Sequence, residues 1–142
     1  MLLADRVAIV TGGAGVNGLG FCTARMLAEH GAKVVIADLE SANPANAAEI
    51  LGKEHLGLVV DVTKKAQCDA AVAKIVAHYG RLDILVNNAG ITQPRKTVDI
   101  TAADYEAVMD VSLRGMLYMS QAVIPAMRAQ KYGRVIVVGS SG

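Results

Sequence analysis

A short apolar strand that runs directly into a glycine-rich turn is the feature that most constrains this chain. Residues 6–11 (Arg-Val-Ala-Ile-Val-Thr) lead into residues 12–20 (Gly-Gly-Ala-Gly-Val-Asn-Gly-Leu-Gly), and the next apolar run ends at Asp38. Glycines let the backbone approach a phosphate, and the N-terminus of the following helix presents free N–H groups to it. A carboxylate about 20 residues further on can accept hydrogen bonds from a ribose. This order predicts a strand–turn–helix unit that binds a dinucleotide.

Apolar, β-branched runs alternate with helical patterns along the chain. The predicted strands are 7–10, 34–37, 58–60, 84–86 and 135–138, and the predicted helices are 19–30, 45–51, 64–79 and 102–130. The strands are hydrophobic almost throughout, which is typical of strands buried on both faces. Alternation with short links implies right-handed crossovers and helices on both faces of the sheet. We therefore predict an α/β fold with a doubly wound parallel sheet in one domain, residues 1–142.

Glycines and capping residues mark the ends of the predicted helices. The glycines that follow helices are Gly31, Gly52, Gly80 and Gly133, as expected of residues that end a helix. Thr63 and Thr101 are predicted N-caps, and Pro125 is expected to kink the long helix near its end. The apolar face of that helix is expected to pack on the sheet, and a subunit contact on the same helix stays open.

Composition and charge exclude several classes of function. The formal net charge is +1 without a Lys/Arg cluster, so neither nucleic acid nor an anionic membrane is an expected partner. No apolar run approaches the roughly 20 residues that span a bilayer and no secretory signal is present, so we expect a cytoplasmic protein. Cys22 and Cys68 form no C-x-x-C pair and are interpreted as small buried hydrophobic residues. His30, His55 and His78 lack metal-ligand spacing, so no metal site is expected.

Short motifs follow the predicted strands. Asn-Asn-Ala-Gly at 87–90 comes after the fourth strand, Asp-Val at 61–62 after the third and Gly-Ser at 139–140 after the fifth. The first turn carries Thr-Gly at 11–12 and Gly-Leu-Gly at 18–20. Together these motifs resemble the short-chain dehydrogenase/reductase family over essentially the whole chain. The resemblance implies a Rossmann-type sheet, of which this chain holds the first five strands.

The resemblance assigns roles to residues at the carboxyl ends of the strands. It implies an NAD(H)-dependent oxidoreductase that interconverts a carbonyl and an alcohol in a small-molecule substrate, assembled as a homodimer or homotetramer. Ser140 would orient the substrate oxygen, and Ser112 stands where the family has an Asn that helps hold a water in a proton relay. The implied cofactor-binding residues are Gly12, Asn17, Gly18, Leu19, Gly20, Asp38, Leu39, Asp61, Val62, Asn88, Ala89, Gly90 and Val111.

Acidic residues after the second strand favour NAD over NADP. Asp38 is followed closely by Glu40, and the glycine-rich turn contains no basic residue. Two carboxylates would repel the 2′-phosphate of NADP, which Arg or Lys usually neutralises. For each of these residues an alternative to cofactor binding stays open. Asp38 could be a solvated acidic residue of its loop, Asp61 could cap the loop after its strand, and Asn88 could be a turn residue in the left-handed conformation. Their shared place at the carboxyl ends of strands favours a binding role.

The first turn departs from the family pattern in its length. Five residues, 13–17, separate Thr11-Gly12 from Gly18-x-Gly20, where the family usually has three. We expect the extra residues to form a bulge rather than an earlier helix start, with Asn17 as an N-cap-like residue. The literal G-x-G-x-x-G from Gly13 to Gly18 is then coincidental.

A second departure concerns catalysis. In the family a Tyr-x-x-x-Lys motif follows the catalytic Ser and supplies acid–base chemistry, and no such motif occurs within these 142 residues. We therefore expect the chain to be the N-terminal, NAD-binding part of a longer dehydrogenase, without its last strands and inactive by itself. The alternative is a non-catalytic dinucleotide-binding or redox-sensing module.

Overall fold

All five strands lie in one parallel sheet in the computed structural model, which describes residues 1–140. The strands are β1 (Val7–Thr11), β2 (Lys33–Asp38), β3 (Leu56–Val59), β4 (Ile84–Asn87) and β5 (Arg134–Val137). Their order is β3-β2-β1-β4-β5 and every pairing is parallel. The order reverses between β1 and β4, so the loops after these two strands flank a crevice at the carboxyl edge. Residues 141 and 142 of the predicted domain lie outside the described residues.

Helices cover both faces of the sheet. They are α1 (Leu19–Glu29), α2 (Pro44–Leu51), α3 (Lys65–Tyr79), α4 (Ala102–Met109) and α5 (Gly115–Ala129). Phe21 and Ala24 of α1 pack with Val10 on one face, whereas Ile75 of α3 packs with Ile9 on the other. Successive residues of β1 therefore enter different cores, which explains its unbroken apolar run. The prediction of a Rossmann-type doubly wound parallel sheet is confirmed.

The strand at one edge differs from the prediction that all strands are buried on both faces. Every residue of β5 is exposed, although its Arg-Val-Ile-Val sequence is as apolar as that of the central strands. Within the described residues β5 pairs with β4 alone, and β3 at the opposite edge is only partly buried. The prediction was wrong for these strands because burial depends on neighbours that a local pattern does not reveal.

Two of the predicted helix ends are wrong. The N-cap of α3 is Lys64, and the Thr63 hydroxyl instead donates to Asp61 Oδ1 at 2.7 Å. After α5 the left-handed residue is Lys131, with φ 55°, so Gly133 does not end the helix. A Cβ at Gly133 would lie 2.4 Å from Met127 Sδ, so close packing explains this glycine.

The long helix predicted over 102–130 is interrupted. A π-helical segment, Asp110–Arg114, joins α4 to α5, and Pro125 lies within α5 without ending it. The predicted cap at Thr101 is confirmed, because its side chain accepts from the Asp104 amide while the Asp104 carboxylate accepts from the Thr101 amide. This reciprocal capping fixes where α4 begins.

The two cysteines have different environments. Cys68 is fully buried, and burial raises the pKa of its thiol to about 11, so its interpretation as a small hydrophobic residue is confirmed. Cys22 is exposed, so the same interpretation was wrong there. Phe21 and Ala24 face the sheet from α1, and the rotation of about 100° per residue turns Cys22 away from it.

A buried carboxylate ties the amino ends of the central strands together. Asp83 is 0% exposed and accepts from the Val7 amide at 2.9 Å and from Arg81 Nε and Nη2 at 2.7 Å each. Burial alone would raise the pKa of Asp83, but the hydrogen bonds from Arg81, Val7 and Arg6 hold it below its ordinary value. This network lies at the edge of the sheet opposite the glycine-rich turn, and there it stabilises the pairing of β1 with β4.

Within residues 1–140, no helix combines the length and apolar character needed to cross a membrane. The cytoplasmic location expected from the sequence stays a prediction.

Candidate functional site

A buried threonine joins the loops that follow β1 and β4. Thr11 is 1% exposed, and its Oγ1 accepts from the backbone amides of Asn88 and Ala89 at 3.1 Å each. In return, Asn88 Nδ2 donates to the carbonyl oxygens of Thr11 and Gly12 at 3.0 Å each. Both hydrogens of the Asn88 amide are therefore engaged by protein, and this side chain holds the turn rather than lining the crevice.

The glycine-rich turn packs so closely that two glycines have no room for a side chain. Gly12 has φ +64°, and a Cβ there would lie 2.8 Å from Ala89 Cα. A Cβ at Gly20 would lie 2.4 Å from Asn88 Nδ2 and 2.6 Å from the Gly12 carbonyl oxygen. The first turn of α1 is thereby pressed against the ends of β1 and β4, which brings its free N–H groups to the carboxyl edge.

The extra residues of this turn lie before the helix, as predicted. Helix α1 begins at Leu19, and the Gly18 amide donates to the Gly15 carbonyl at 2.8 Å. Gly18 is the N-cap, and no side chain caps the helix. The expectation that Asn17 acts as an N-cap-like residue is wrong, because the turn closes through backbone bonds between residues 15 and 18.

Two carboxylates at the carboxyl edge are held by backbone donors. Asp38 Oδ2 accepts from the Ala14 amide at 3.0 Å, and Asp38 Oδ1 accepts from the Leu39 amide at 2.8 Å. Asp61 Oδ1 accepts from the Thr63 amide at 2.9 Å. The hydrogen bond from the Thr63 hydroxyl is the main cause that lowers the pKa of Asp61. Backbone donors thus orient both carboxylates before any ligand binds.

A cleft of about 340 Å³ lies between these carboxylates. Its lining includes the predicted residues Gly12, Asp38, Leu39, Asp61, Val62, Ala89, Gly90 and Val111, together with Ala37, Val60, Thr63 and Ile91. Sequence reasoning missed these last four, although each adjoins a motif that it identified. Asn17, Gly18, Leu19 and Gly20 lie outside the lining, on the turn and the start of α1. None of the lining residues is Lys or Arg, so the cleft offers a cation-free surface with two negative charges.

The two predicted catalytic serines lie near the same edge. Ser112 is in the π-helical segment, and its Oγ is 3.7 Å from the position of a Cβ built at Gly90. Ser140 is exposed and follows the end of β5, where the Val138 amide donates to the Asn87 carbonyl at 3.0 Å. Across residues 1–140 no hydrogen bond joins the two serines. The π-helical segment brings Val111 to the cleft and places Ser112 close to Gly90 of its lining, and such segments are frequent at functional sites.

No group of three or more His, Cys, Asp or Glu residues in the described part of the chain is arranged to hold a metal ion.

Known proteins resemble this chain over nearly its whole length. A family model described as short chain dehydrogenase matches residues 6–142. The chain is 39% identical to the uncharacterized short-chain type dehydrogenase/reductase y4mP of Sinorhizobium fredii, over 99% of this chain and 57% of that protein. It is 40% identical to galactitol 2-dehydrogenase of Agrobacterium fabrum, over 96% of this chain and 53% of that protein.

A third relative and a solved structure extend the comparison. The chain is 37% identical to 3-oxoacyl-(acyl-carrier-protein) reductase FabG of Thermotoga maritima, over 99% of this chain and 57% of that protein. The crystal structure of gox2181 matches it with a TM-score of 0.90 and 40% identity, over 97% of this chain and 55% of that one. The chain therefore spans about half the length of the curated relatives that it matches.

Proposed function

The chain belongs to the short chain dehydrogenase family, and from that premise we propose that it supplies the NAD(H) site of an oxidoreductase that interconverts a carbonyl and an alcohol. The family itself supports the general assignment as an oxidoreductase. The observation that carries the finer proposal is the cleft bounded by Asp38 and Asp61, beside a glycine turn too tight for side chains.

Polar groups in the cleft and at the start of α1 beside it match the parts of a dinucleotide. Asp38 would accept hydrogen bonds from the adenosine ribose, and Asp61 would accept one from the adenine amino group. The N–H groups at the start of α1 would donate to the diphosphate, since no side chain caps that helix. When bound there, NAD supplies a nicotinamide ring that exchanges a hydride with the substrate.

Residues of the β5 end and the π-helical segment are proposed to act on the substrate side. Ser140 would donate a hydrogen bond to the reacting oxygen, which favours the charge that develops on it. Ser112 would hold a water in a proton relay through a hydroxyl that both donates and accepts. The 142 residues contain no Tyr-x-x-x-Lys, so we propose that they bind the dinucleotide without turning over substrate by themselves.

Charge in the cleft supports NAD over NADP. A 2′-phosphate beside Asp38 would meet a carboxylate already fixed by two backbone donors. The lining residues supply no cation to offset that repulsion.

An exposed apolar groove supports the proposed assembly as a homodimer or homotetramer. It has a volume of about 660 Å³ and is lined mainly by Met109, Leu113, Met116 and Leu117. Its residues lie on α4, the π-helical segment and α5, away from the helix face that packs on the sheet. A second copy of the same helices would cover this groove.

The proposed binding is tested by calorimetric titration of the full chain with NADH. Saturable 1:1 binding, weakened by replacing Asp61 with alanine, is the expected result. Absence of any binding at millimolar NADH would contradict the proposed function.

A further inference from the structure

Asp38 contacts two backbone segments at once, and one of them is the lengthened part of the glycine-rich turn. The Ala14 amide donates to Oδ2 at 3.0 Å, while the Leu39 amide donates to Oδ1 at 2.8 Å. Ala14 is 6% exposed and lies within residues 13–17, the stretch that makes this turn longer than usual in the family. A buried amide without an acceptor is costly, so the conformation of this stretch depends on the carboxylate.

Packing around Ala14 shows why this hydrogen bond can hold the turn. Ala14 belongs to the same buried cluster as Val10, Phe21 and Ile36, which places its Cβ in the core. Its amide is oriented toward the end of β2, where Asp38 lies. The two residues that follow extend away from the body, since a Cβ at Gly15 would meet nothing within 4 Å and Val16 is 45% exposed. Ala14 is therefore the residue of the 13–17 stretch that packs in the core, and its amide is held by the Asp38 carboxylate.

We propose that Asp38 anchors the lengthened turn as well as binding the ribose, so that affinity for both NAD and NADP depends on its carboxylate. The ligand part of this inference rests on the proposed function. Each carboxylate oxygen has a second acceptor position besides the one taken by a backbone amide. The ribose hydroxyls can use these positions without displacing Ala14 or Leu39. The two backbone donors also fix the orientation of the carboxylate in advance, which reduces the ordering cost of binding.

This dual role separates Asp38 from a residue that only repels a 2′-phosphate. If repulsion were its whole function, neutralising it would leave NADH affinity unchanged and strengthen NADPH binding. If it also anchors the turn, neutralising it releases Ala14 and the backbone that leads to the start of α1. Both cofactors use that backbone for their diphosphate, so both lose affinity.

The test compares Asp38→Asn with Glu40→Gln in the full chain. Asp38→Asn removes a charge and leaves one carbonyl oxygen for two amide donors. Glu40→Gln removes a charge alone, because in residues 1–140 the exposed Glu40 side chain forms no hydrogen bond or ion pair. Affinities for NADH and NADPH are measured by calorimetry, and hydrogen exchange of the Ala14 amide is measured by NMR without cofactor.

We expect Asp38→Asn to lower the affinity for both cofactors. NADH and NADPH should both bind at least about tenfold more weakly, the loss expected for an acceptor with a full charge. The Ala14 amide should exchange at least about tenfold faster. Glu40→Gln should leave NADH affinity and Ala14 exchange unchanged and should leave NADPH affinity equal or higher. Tighter NADPH binding by Asp38→Asn, with Ala14 exchange as in the wild type, would overturn the inference.

The wild-type protein provides a check that needs no variant. The Ala14 amide should exchange more slowly than the Gly15 amide, for which no acceptor is found among residues 1–140. Equal exchange rates would overturn the anchoring role even if Asp38→Asn failed to fold. Conversely, if the wild type bound neither cofactor, the proposed function would fail while the exchange comparison still decided whether Asp38 holds the turn.

Discussion

Replacing Gly20 with alanine tests how tightly the first turn of α1 is pressed against the loop after β4. Inside a helix, alanine is favoured over glycine by about 1 kcal/mol, so helix propensity alone predicts a more stable protein. The structure predicts the opposite sign. A Cβ at this position would lie 2.4 Å from Asn88 Nδ2 and 2.6 Å from the Gly12 carbonyl oxygen, both well inside van der Waals contact.

The expected magnitude follows from what must move. The Asn88 amide would have to leave its hydrogen bonds to the Thr11 and Gly12 carbonyls, each 3.0 Å long, at about 1 kcal/mol per bond. The Gly12 oxygen belongs to the backbone and cannot rotate away, which adds about 1–3 kcal/mol of overpacking. With the helix propensity set against these losses, Gly20→Ala should lower the free energy of unfolding by about 2–4 kcal/mol.

Urea unfolding of Gly20→Ala, Gly15→Ala and the wild type measures this difference. Gly15 is the matched control, because a Cβ there would meet nothing within 4 Å. Gly15→Ala should therefore unfold within about 0.5 kcal/mol of the wild type. If Gly20→Ala were as stable as Gly15→Ala, the close contact between α1 and the β4 loop would be refuted.

Two further predictions concern the amino edge of the sheet and the π-helical segment. Asp83→Asn should lower the free energy of unfolding at pH 7 by about 1.5–3 kcal/mol, because the buried carboxylate loses its charged hydrogen bonds from Arg81, whose partly exposed side chain can still be solvated. Since the folded protein lowers the pKa of Asp83 from 3.8, its contribution is present above that value and is lost as pH falls through the folded pKa. The urea midpoints of the variant and the wild type should thus converge at the acid end of a pH series. A difference in midpoint that stayed constant with pH would contradict the stabilising role of the Asp83 carboxylate. The proposed function also predicts an outcome for Ser112→Asn, made in a longer dehydrogenase chain that supplies Tyr-x-x-x-Lys. This variant should keep or raise kcat with NADH and a carbonyl substrate, since the family resemblance implies an Asn at this position. A large loss of kcat with unchanged stability would assign the Ser112 hydroxyl a role of its own.

The central strands could be predicted because their apolar sequences match the buried surroundings that the two cores provide on both faces. Val7 and Ile9 of β1 enter one core while Ala8 and Val10 enter the other, which produces the unbroken apolar run seen in the sequence. The apolar sequence of β5 gave the same signal, yet its residues are exposed. Exposure of an edge strand is set by what packs beside it, and local periodicity carries no information about that.

The grouping of the candidate site could be predicted, but several of its hydrogen bonds could not. Residues after β1, β2, β3 and β4 meet because parallel strands share a carboxyl edge. The sequence did not reveal that Asn88 uses its amide to hold the turn or that Asp38 accepts from Ala14. Such bonds depend on the course of a loop in space, which has no periodic signal. The π-helical segment around Ser112 was missed for a similar reason, because the helical pattern continues through it.

The most direct test of the proposed NAD site is the ratio of the dissociation constants of the full chain for NADH and NADPH at low ionic strength. The two cofactors differ only in the 2′-phosphate that would lie beside Asp38, in a cleft without cationic lining residues. The proposal predicts that NADH binds at least about tenfold more tightly, which corresponds to about 1.4 kcal/mol. Equal affinity, or tighter binding of NADPH, would contradict it.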